Sequence, residues 1–430
     1  MLIVIASCTH EEDDIFSESA AERLNAASAL YSARLMAQPN GWAMQLYPTD
    51  EDEAPYGNGY LLLLRFQDDY SVVAAMNNSL TGDVYLEDES AWEVITDDGP
   101  VLTFNTHNDV IHIFSDPDDV SSTDDDETGT GIGGDYEFII VDAPEDASYM
   151  MLKGKKRATY NLLTPVEEGV EYESYLEDVK DFQNKMFSSD APNYDLIYFG
   201  DSLYIMEDAN DGIPNIYPYG EDAVLNESFN PFLMTKRGDD YYLRFRDEFE
   251  KGDVVVQEFV YLSDEDIFRG VDDESAYICG QDPLVFLDSV FTAGTTLTFS
   301  KSTSDMSSSF QTIYSGLASD FKSLSMTLSN ITFTIYQSNY VITVSYKSGS
   351  RTSTTRYIVS YSKDDEGMTF QYTSADTAAL NVLSAIPTMQ TLLDTISQKF
   401  IVSPGTTGFD LSTLKLTSAS DDDMWFIVSI

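Results

Sequence analysis

Residue types that do chemistry are scarce in this chain, with one exception: 3 His and 2 Cys stand against 74 Asp or Glu. His107 and His112 straddle His107-Asn108-Asp109, which reads as a hairpin turn, so the two rings need not share a face. No His-Glu-x-x-His spacing exists, and His10 lies near the N-terminus. Turn and strand-surface roles are therefore the simpler reading of all three. A Gly-x-Ser-x-Gly elbow and a phosphate loop with its Lys are also missing from the sequence. Thr130-Gly131-Ile132-Gly133-Gly134 is glycine-rich, yet it leads into a strand, whereas a phosphate cradle needs a helix N-terminus. No residue is assigned a catalytic role on these grounds. A glycosidase needs only two carboxylates of unlike environment. With 74 acids some pair always has a suitable spacing, so abundance diagnoses nothing.

Calcium is the more specific acid-based chemistry. Its candidates are Asp124 and Asp126, within Asp124-Asp125-Asp126-Glu127, and Glu207, Asp211 and Asn215, within a fragment resembling an Asp-rich calcium loop. Hard cations take six to eight oxygens, which such loops can offer. The alternate-Asp spacing is broken at Ala209, so a solvated acidic turn is the plainer reading. No other cofactor is implied. The basic cluster Lys153-Gly154-Lys155-Lys156-Arg157 could meet an acidic partner or a sulfated glycan. It reads better as a counter-charge that lets an acidic domain fold. Trp42, Trp92 and Trp425, with 27 Tyr, could stack on sugar rings, but core packing accounts for most large aromatics, Trp42 among them.

The balance of charge removes partners. With 74 acids, 23 bases and a net charge of −51, nucleic acid is excluded, because its recognition rests on cations neutralising phosphates. Anionic lipid surfaces are disfavoured for the same reason. Residues 285–430 hold 8 bases and 12 acids, a net of −4, which leaves −47 on residues 1–284. An acidic front thus precedes a nearly neutral back rich in Ser and Thr. The 27 Tyr and 24 Phe give ample material for a folded core despite the charge.

Two Cys exclude a disulfide framework, and no CxxC or Cys/His cluster could hold zinc. Cys279 reads as a buried small hydrophobe. Cys8 differs, because it follows Leu2-Ile3-Val4-Ile5-Ala6-Ser7 and precedes Thr9-His10-Glu11-Glu12-Asp13-Asp14. Ile5-Ala6-Ser7-Cys8 matches a bacterial lipoprotein box, in which small residues let a peptidase reach extended backbone and Cys8 becomes the lipid attachment site. Stable anchoring then takes more than one acyl chain. Seven residues precede Cys8, and none is the Lys or Arg of an ordinary signal n-region. A hydrophobic N-terminal element with an incidental Cys therefore stays open as the alternative. No other stretch approaches the roughly 18–20 apolar residues of a membrane span.

The elements that would position these groups follow from periodicity. Ser19 with Glu22 reads as a capping box, and Ala20, Leu24, Ala27, Tyr31 and Leu35 fall on one helical face, ended by Pro39-Asn40-Gly41. About nine short strands follow: Trp42–Leu46, Tyr60–Phe66, Tyr70–Met76, Trp92–Thr96, Val101–Asn105, Val110–Phe114, Tyr136–Val141, Tyr149–Lys153 and Thr159–Leu163. Asp116–Gly134 is a long acidic loop, expected to be mobile. A second helical stripe, Tyr175, Val179, Phe182 and Met186, precedes another set of strands. Phe310, Ile313, Leu317, Phe321 and Leu324 mark a third helix, and a further one spans about Thr377–Gln398. The fold class is mainly β with a few helices, an α+β chain of antiparallel barrel or sandwich domains, each preceded by a helix. Residues 1–16 form the address and acidic tether, 17–165 a first domain, and 166–430 a larger one, divisible near 300.

The pattern resembles a family of Bacteroidetes lipoproteins defined only as a domain of unknown function. The match rests on Cys8 with its acidic tail, Glu22-Arg23-Leu24, Pro39-Asn40-Gly41-Trp42, Tyr47-Pro48 and Gly59-Tyr60. It extends to Gly99-Pro100-Val101-Leu102-Thr103-Phe104-Asn105-Thr106, His112-Ile113-Phe114-Ser115-Asp116-Pro117, Gly134-Asp135-Tyr136-Glu137-Phe138 and Leu152-Lys153-Gly154-Lys155-Lys156. The resemblance covers roughly the first 165 residues. It implies a protein anchored to the outer membrane and facing the cell exterior, encoded beside starch-utilisation-like (Sus-like) importers. The expected role is an accessory binding component for capture of a glycan or peptide with such an importer. A surface hydrolase with a carboxylate pair and a structural or adhesive module are the alternatives.

Overall fold

The computed structural model describes residues 19–49, 59–97, 99–116, 132–187, 194–292, 294–406 and 408–430. Cys8, Asp124 and Asp126, with most of the acidic loop, lie outside them. Two compact units divide the chain: Met1–Val179 with Pro231–Tyr241, and Lys180–Asn230 with Tyr242–Ile430.

Helix α1 (Ala20–Met36) starts where the capping box places it. The Ser19 hydroxyl accepts from the Glu22 amide at 3.3 Å, and the Glu22 carboxylate accepts from the Ser19 amide at 2.9 Å. A closed antiparallel barrel follows: β1 (Trp42–Leu46), β2 (Tyr60–Phe66), β3 (Ser71–Met76), β4 (Leu86–Thr96), β5 (Pro100–Phe104), β6 (Glu137–Asp142), β7 (Met150–Gly154) and β8 (Tyr160–Pro165). The strands pair in chain order, and β1 closes on β8 with Trp42 opposite Pro165 and Met44 opposite Leu163. Trp42, Trp92, Phe104 and Phe138 fill the core, with Leu35 of α1 fully buried against it. Trp42 is core, as its position suggests.

One expected strand is not a strand. Val110 and Ile111 form a turn and His112–Phe114 a short 3-10 helix. The cause is Asn108, fully buried, whose side-chain oxygen accepts from the Val110 and Ile111 amides at 3.0 and 3.1 Å. Its amide group donates to the Asp88 carbonyl and the Ser90 hydroxyl. This local capping outcompetes a ladder for the same backbone groups. Nine strands therefore become eight.

Helix α2 (Tyr172–Met186) leads to a second sheet of eight strands: β9 (Tyr194–Phe199), β10 (Ser202–Glu207), β11 (Asn215–Pro218), β12 (Phe232–Arg237), β13 (Asp240–Lys251), β14 (Val254–Leu262), β15 (Ile267–Gly270) and β16 (Ala276–Cys279). Its order is β11-β10-β9-β16-β15-β14-β13-β12, so it is open. Helix α3 (Pro283–Thr292) precedes a second closed barrel. That barrel comprises β17 (Leu297–Phe299), β18 (Met326–Tyr336), β19 (Asn339–Ser348), β20 (Arg351–Asp364), β21 (Gly367–Ala375), β22 (Lys399–Pro404), β23 (Thr413–Ser418) and β24 (Asp421–Ser429). Helix α4 (Ser308–Ser323) follows β17 and buries Phe310, Leu317 and Phe321. The expected helix over Thr377–Gln398 is two helices, α5 (Thr377–Ala385) and α6 (Pro387–Ile396). Pro387 lacks an amide hydrogen and pushes Ile386 out of helical geometry, to φ −128. The mainly β class, with antiparallel barrels each preceded by a helix, is what the periodicity implies.

Candidate functional site

Pro39-Asn40-Gly41-Trp42 is a corner that builds a cleft. Gly41 sits at φ +78, and a Cβ there would lie 2.1 Å from the Leu64 carbonyl oxygen and 2.5 Å from the Tyr172 hydroxyl. Only glycine fits both the backbone conformation and the space. The Asn40 side-chain amide donates to the carbonyls of Glu167 (2.7 Å) and Val170 (2.8 Å), and the Tyr172 hydroxyl donates to the Asn40 carbonyl at 2.8 Å. Trp42 Nε1 donates to the Leu35 carbonyl at 2.8 Å, which ties the strand to the end of α1. These bonds hold the 167–170 turn and the start of α2 beside β2 and β4.

Between them lies a cavity of about 530 Å³ lined by Asn40, Arg65, Tyr85, Glu87, Tyr172 and Glu173, with the 169–171 turn. Arg65 lies over the Tyr172 ring, 5.5 Å from its centroid, and the Tyr85 hydroxyl donates to Glu87 Oε2 at 2.5 Å. Burial pushes both phenols well above their ordinary range, and at Tyr85 the Glu87 bond adds to it. Both therefore stay protonated hydroxyls. Aromatic walls, a guanidinium fork and carboxylates around a concave space suit a polar, hydroxyl-rich ligand.

The basic cluster forms a second construction, the turn between β7 and β8. Asp135, 6% exposed, accepts from the Lys156 amide at Oδ1 (3.0 Å) and the Arg157 amide at Oδ2 (2.9 Å). Gly154 leaves the room, since a Cβ there would meet Asp135 Oδ2 at 2.1 Å. The Gly134–Phe138 and Leu152–Lys156 motifs are thus two halves of one structural device. Burial raises the Asp135 carboxyl above the usual carboxylate range, against the pull of both amides and of the Arg157 and Lys156 charges. With each oxygen taken by an amide, Asp135 is poorly placed to serve a leaving group. Lys155 bridges Asp97 (2.9 Å) and Glu137 (3.1 Å), part of the counter-charge role expected of the cluster.

His107 and His112 do come together, because the chain between them coils instead of forming a hairpin. Their ring centroids are 5.4 Å apart, and His112 stacks on Tyr136 at 5.4 Å. His112 Nδ1 accepts from the Asn108 amide at 3.1 Å, and the ring also meets the Phe104 backbone. Burial, then the neighbouring His107, lowers its pKa, which leaves a neutral ring with both nitrogens engaged. His107 Nε2 meets Asp109 at 3.0 Å. Among the described residues no group of three or more His, Cys, Asp or Glu could hold a metal ion.

Of the calcium candidates, Glu207 and Asn215 face each other across the β10–β11 ladder. Their oxygens have protein partners: Glu207 accepts from the Tyr217 hydroxyl at 3.4 Å and Asn215 from the Ser228 amide at 2.9 Å. Asp211 accepts from the Asn210 side chain at 2.7 Å. Cys279 is only partly buried, short of the full burial its type suggests, because it lies at the end of β16 on the face opposite the buried Ile278. Its thiol is pushed up to about 12 by burial and then by Asp195, so it is not a nucleophile. Among the described residues no helix is long and apolar enough to cross a membrane.

Arg65, Tyr85, Glu87 and Tyr172 escape sequence reasoning, since they come from β2, the approach to β4, β4 itself and α2. The one available signal is that Asn40-Gly41 sits at the corner that gathers them. Fold and clefts together define a class: a helix-preceded antiparallel barrel protein whose polar recesses lie on the outside of its first barrel. The chain belongs to the DUF4302 family, described as a domain of unknown function, whose sequence profile matches residues 12–263. That span contains the whole first barrel and reaches β14. No curated protein matches the chain.

Proposed function

We propose that this protein is a cell-surface lipoprotein of the Bacteroidetes type, held to the outer membrane through Cys8 and facing outward. In this reading it is an accessory binding component that captures a glycan, or a peptide, for a Sus-like importer. The observation that supports it is the cleft of Arg65, Tyr85, Glu87 and Tyr172, whose aromatic and bidentate polar groups suit saccharide recognition. The test is binding by the full chain on arrays of neutral oligosaccharides and of peptides, with Tyr85→Ala and Arg65→Ala as variants. Each substitution is expected to weaken binding about tenfold, equivalent to about 1.4 kcal/mol. Absence of binding to either array, or binding unchanged in both variants, overturns the reading. The anchor is tested separately by labelling cells with a fatty-acid analogue, which Cys8→Ala should abolish.

A further inference from the structure

The turn that Asp135 organises leaves one charge unexplained. Arg157 is 9% exposed, yet among the described residues its Nε has no hydrogen-bond partner. A buried guanidinium nitrogen left without an acceptor carries the desolvation penalty of the bond it lacks. Arg157 lines a cavity of about 410 Å³ together with Ser115, Tyr136, Glu137, Lys155 and Lys156. The negative groups there have partners: Asp135 is held by two backbone amides, and Glu137 by Lys155. Tyr136, 46% exposed and backed by the His112 ring, supplies an aromatic wall.

We infer that this cavity is an anion subsite that takes the carboxylate of an acidic sugar on Arg157 and Lys156, with the sugar ring against Tyr136. A planar carboxylate matches the guanidinium fork, and the exposed ring favours a saccharide over a bare anion as its carrier. The site is separate from the Arg65–Tyr85 cleft and rests on the glycan reading only for the source of the carboxylate.

Calorimetric titration of the full chain with a galacturonate oligomer, the matching neutral galactose oligomer and an acidic peptide tests this. The galacturonate oligomer is expected to bind at least about tenfold more tightly than the neutral one. Lys156→Gln at the rim and Arg157→Lys, which keeps the charge but loses the fork, should each remove most of that preference at an unchanged melting temperature. Equal affinity for charged and neutral oligomers, or a preference untouched in both variants, overturns the subsite. Tighter binding of the peptide overturns its assignment to a sugar. Neutral-glycan binding that survives with its Tyr85 dependence intact would leave the cleft reading standing while this one falls.

Discussion

The first and last barrels share a topology, eight antiparallel strands closed in chain order, but they put their polar groups to different use. In the last barrel β18, β19 and β20 run to 11, 10 and 14 residues, whereas β1, β5 and β7 of the first have five each. The buried polar residues of the first barrel include Asn108, Asp135, Arg157 and Asn161, while those of the last barrel are the hydroxyls Ser307, Thr355 and Ser418. The lumen of the last barrel offers no room for a ligand. The void lined by Leu297, Phe299, Phe333 and Phe426 is about 10 Å³, room for one water at most, and its apolar walls keep it dry. Eight strands leave a space that side chains fill. In the proposed reading, recognition belongs to the outside of the first barrel, within the span that the family profile matches.

The sharpest way to test that contrast is to damage each barrel by its own means. Phe426→Ala in the last barrel removes a ring stacked 4.9 Å from Phe299 and 4.4 Å from Phe310, and is expected to cost about 3–5 kcal/mol by denaturant unfolding. A cost below about 1 kcal/mol would mean the barrel core is not packed as described.

In the first barrel Asp135→Asn should cost about 1–3 kcal/mol, since one of two turn amides loses its acceptor. Its pH signature separates it from a packing effect. A carboxyl whose folded pKa lies above its unfolded value binds its proton more tightly when folded. Its contribution to stability therefore falls as pH rises from the ordinary carboxylate range through the raised value, and is level above that. The Asn variant should lack this slope, and a slope retained in full would contradict the assignment. The smallest expected effect concerns the acidic loops. Calcium binding at Glu207, Asp211 and Asn215, or at Asp124 and Asp126, would raise the melting temperature on titration with the metal, and an unmoved melting curve would remove calcium from consideration.

What the sequence makes legible follows from how local each cause is. The apolar run Tyr60-Leu61-Leu62-Leu63-Leu64-Arg65-Phe66 coincides with β2, because a strand packed on both faces needs no partner to be recognised. The Ser19–Glu22 box fixes the start of α1 for the same reason. Residues 110–114 mislead because their apolar side chains are buried by a turn that the buried Asn108 amide enforces, a tertiary cause invisible to periodicity. Pro387 is a local signal that divides α5 from α6, and a single helix over Thr377–Gln398 ignores it. Helix α3 carries no acidic first turn or basic last turn to announce it. The cleft was illegible for a different reason: Arg65, Tyr85, Glu87 and Tyr172 acquire meaning only once Gly41 lets the chain pass against Leu64.

Hydrogen exchange on the full chain with and without a bound oligosaccharide is the most direct test of proposed recognition on the outside of the first barrel. Added protection is expected in residues 40–42, 64–66, 85–88 and 168–174, with none in residues 297–429. Protection confined to the last barrel would contradict it.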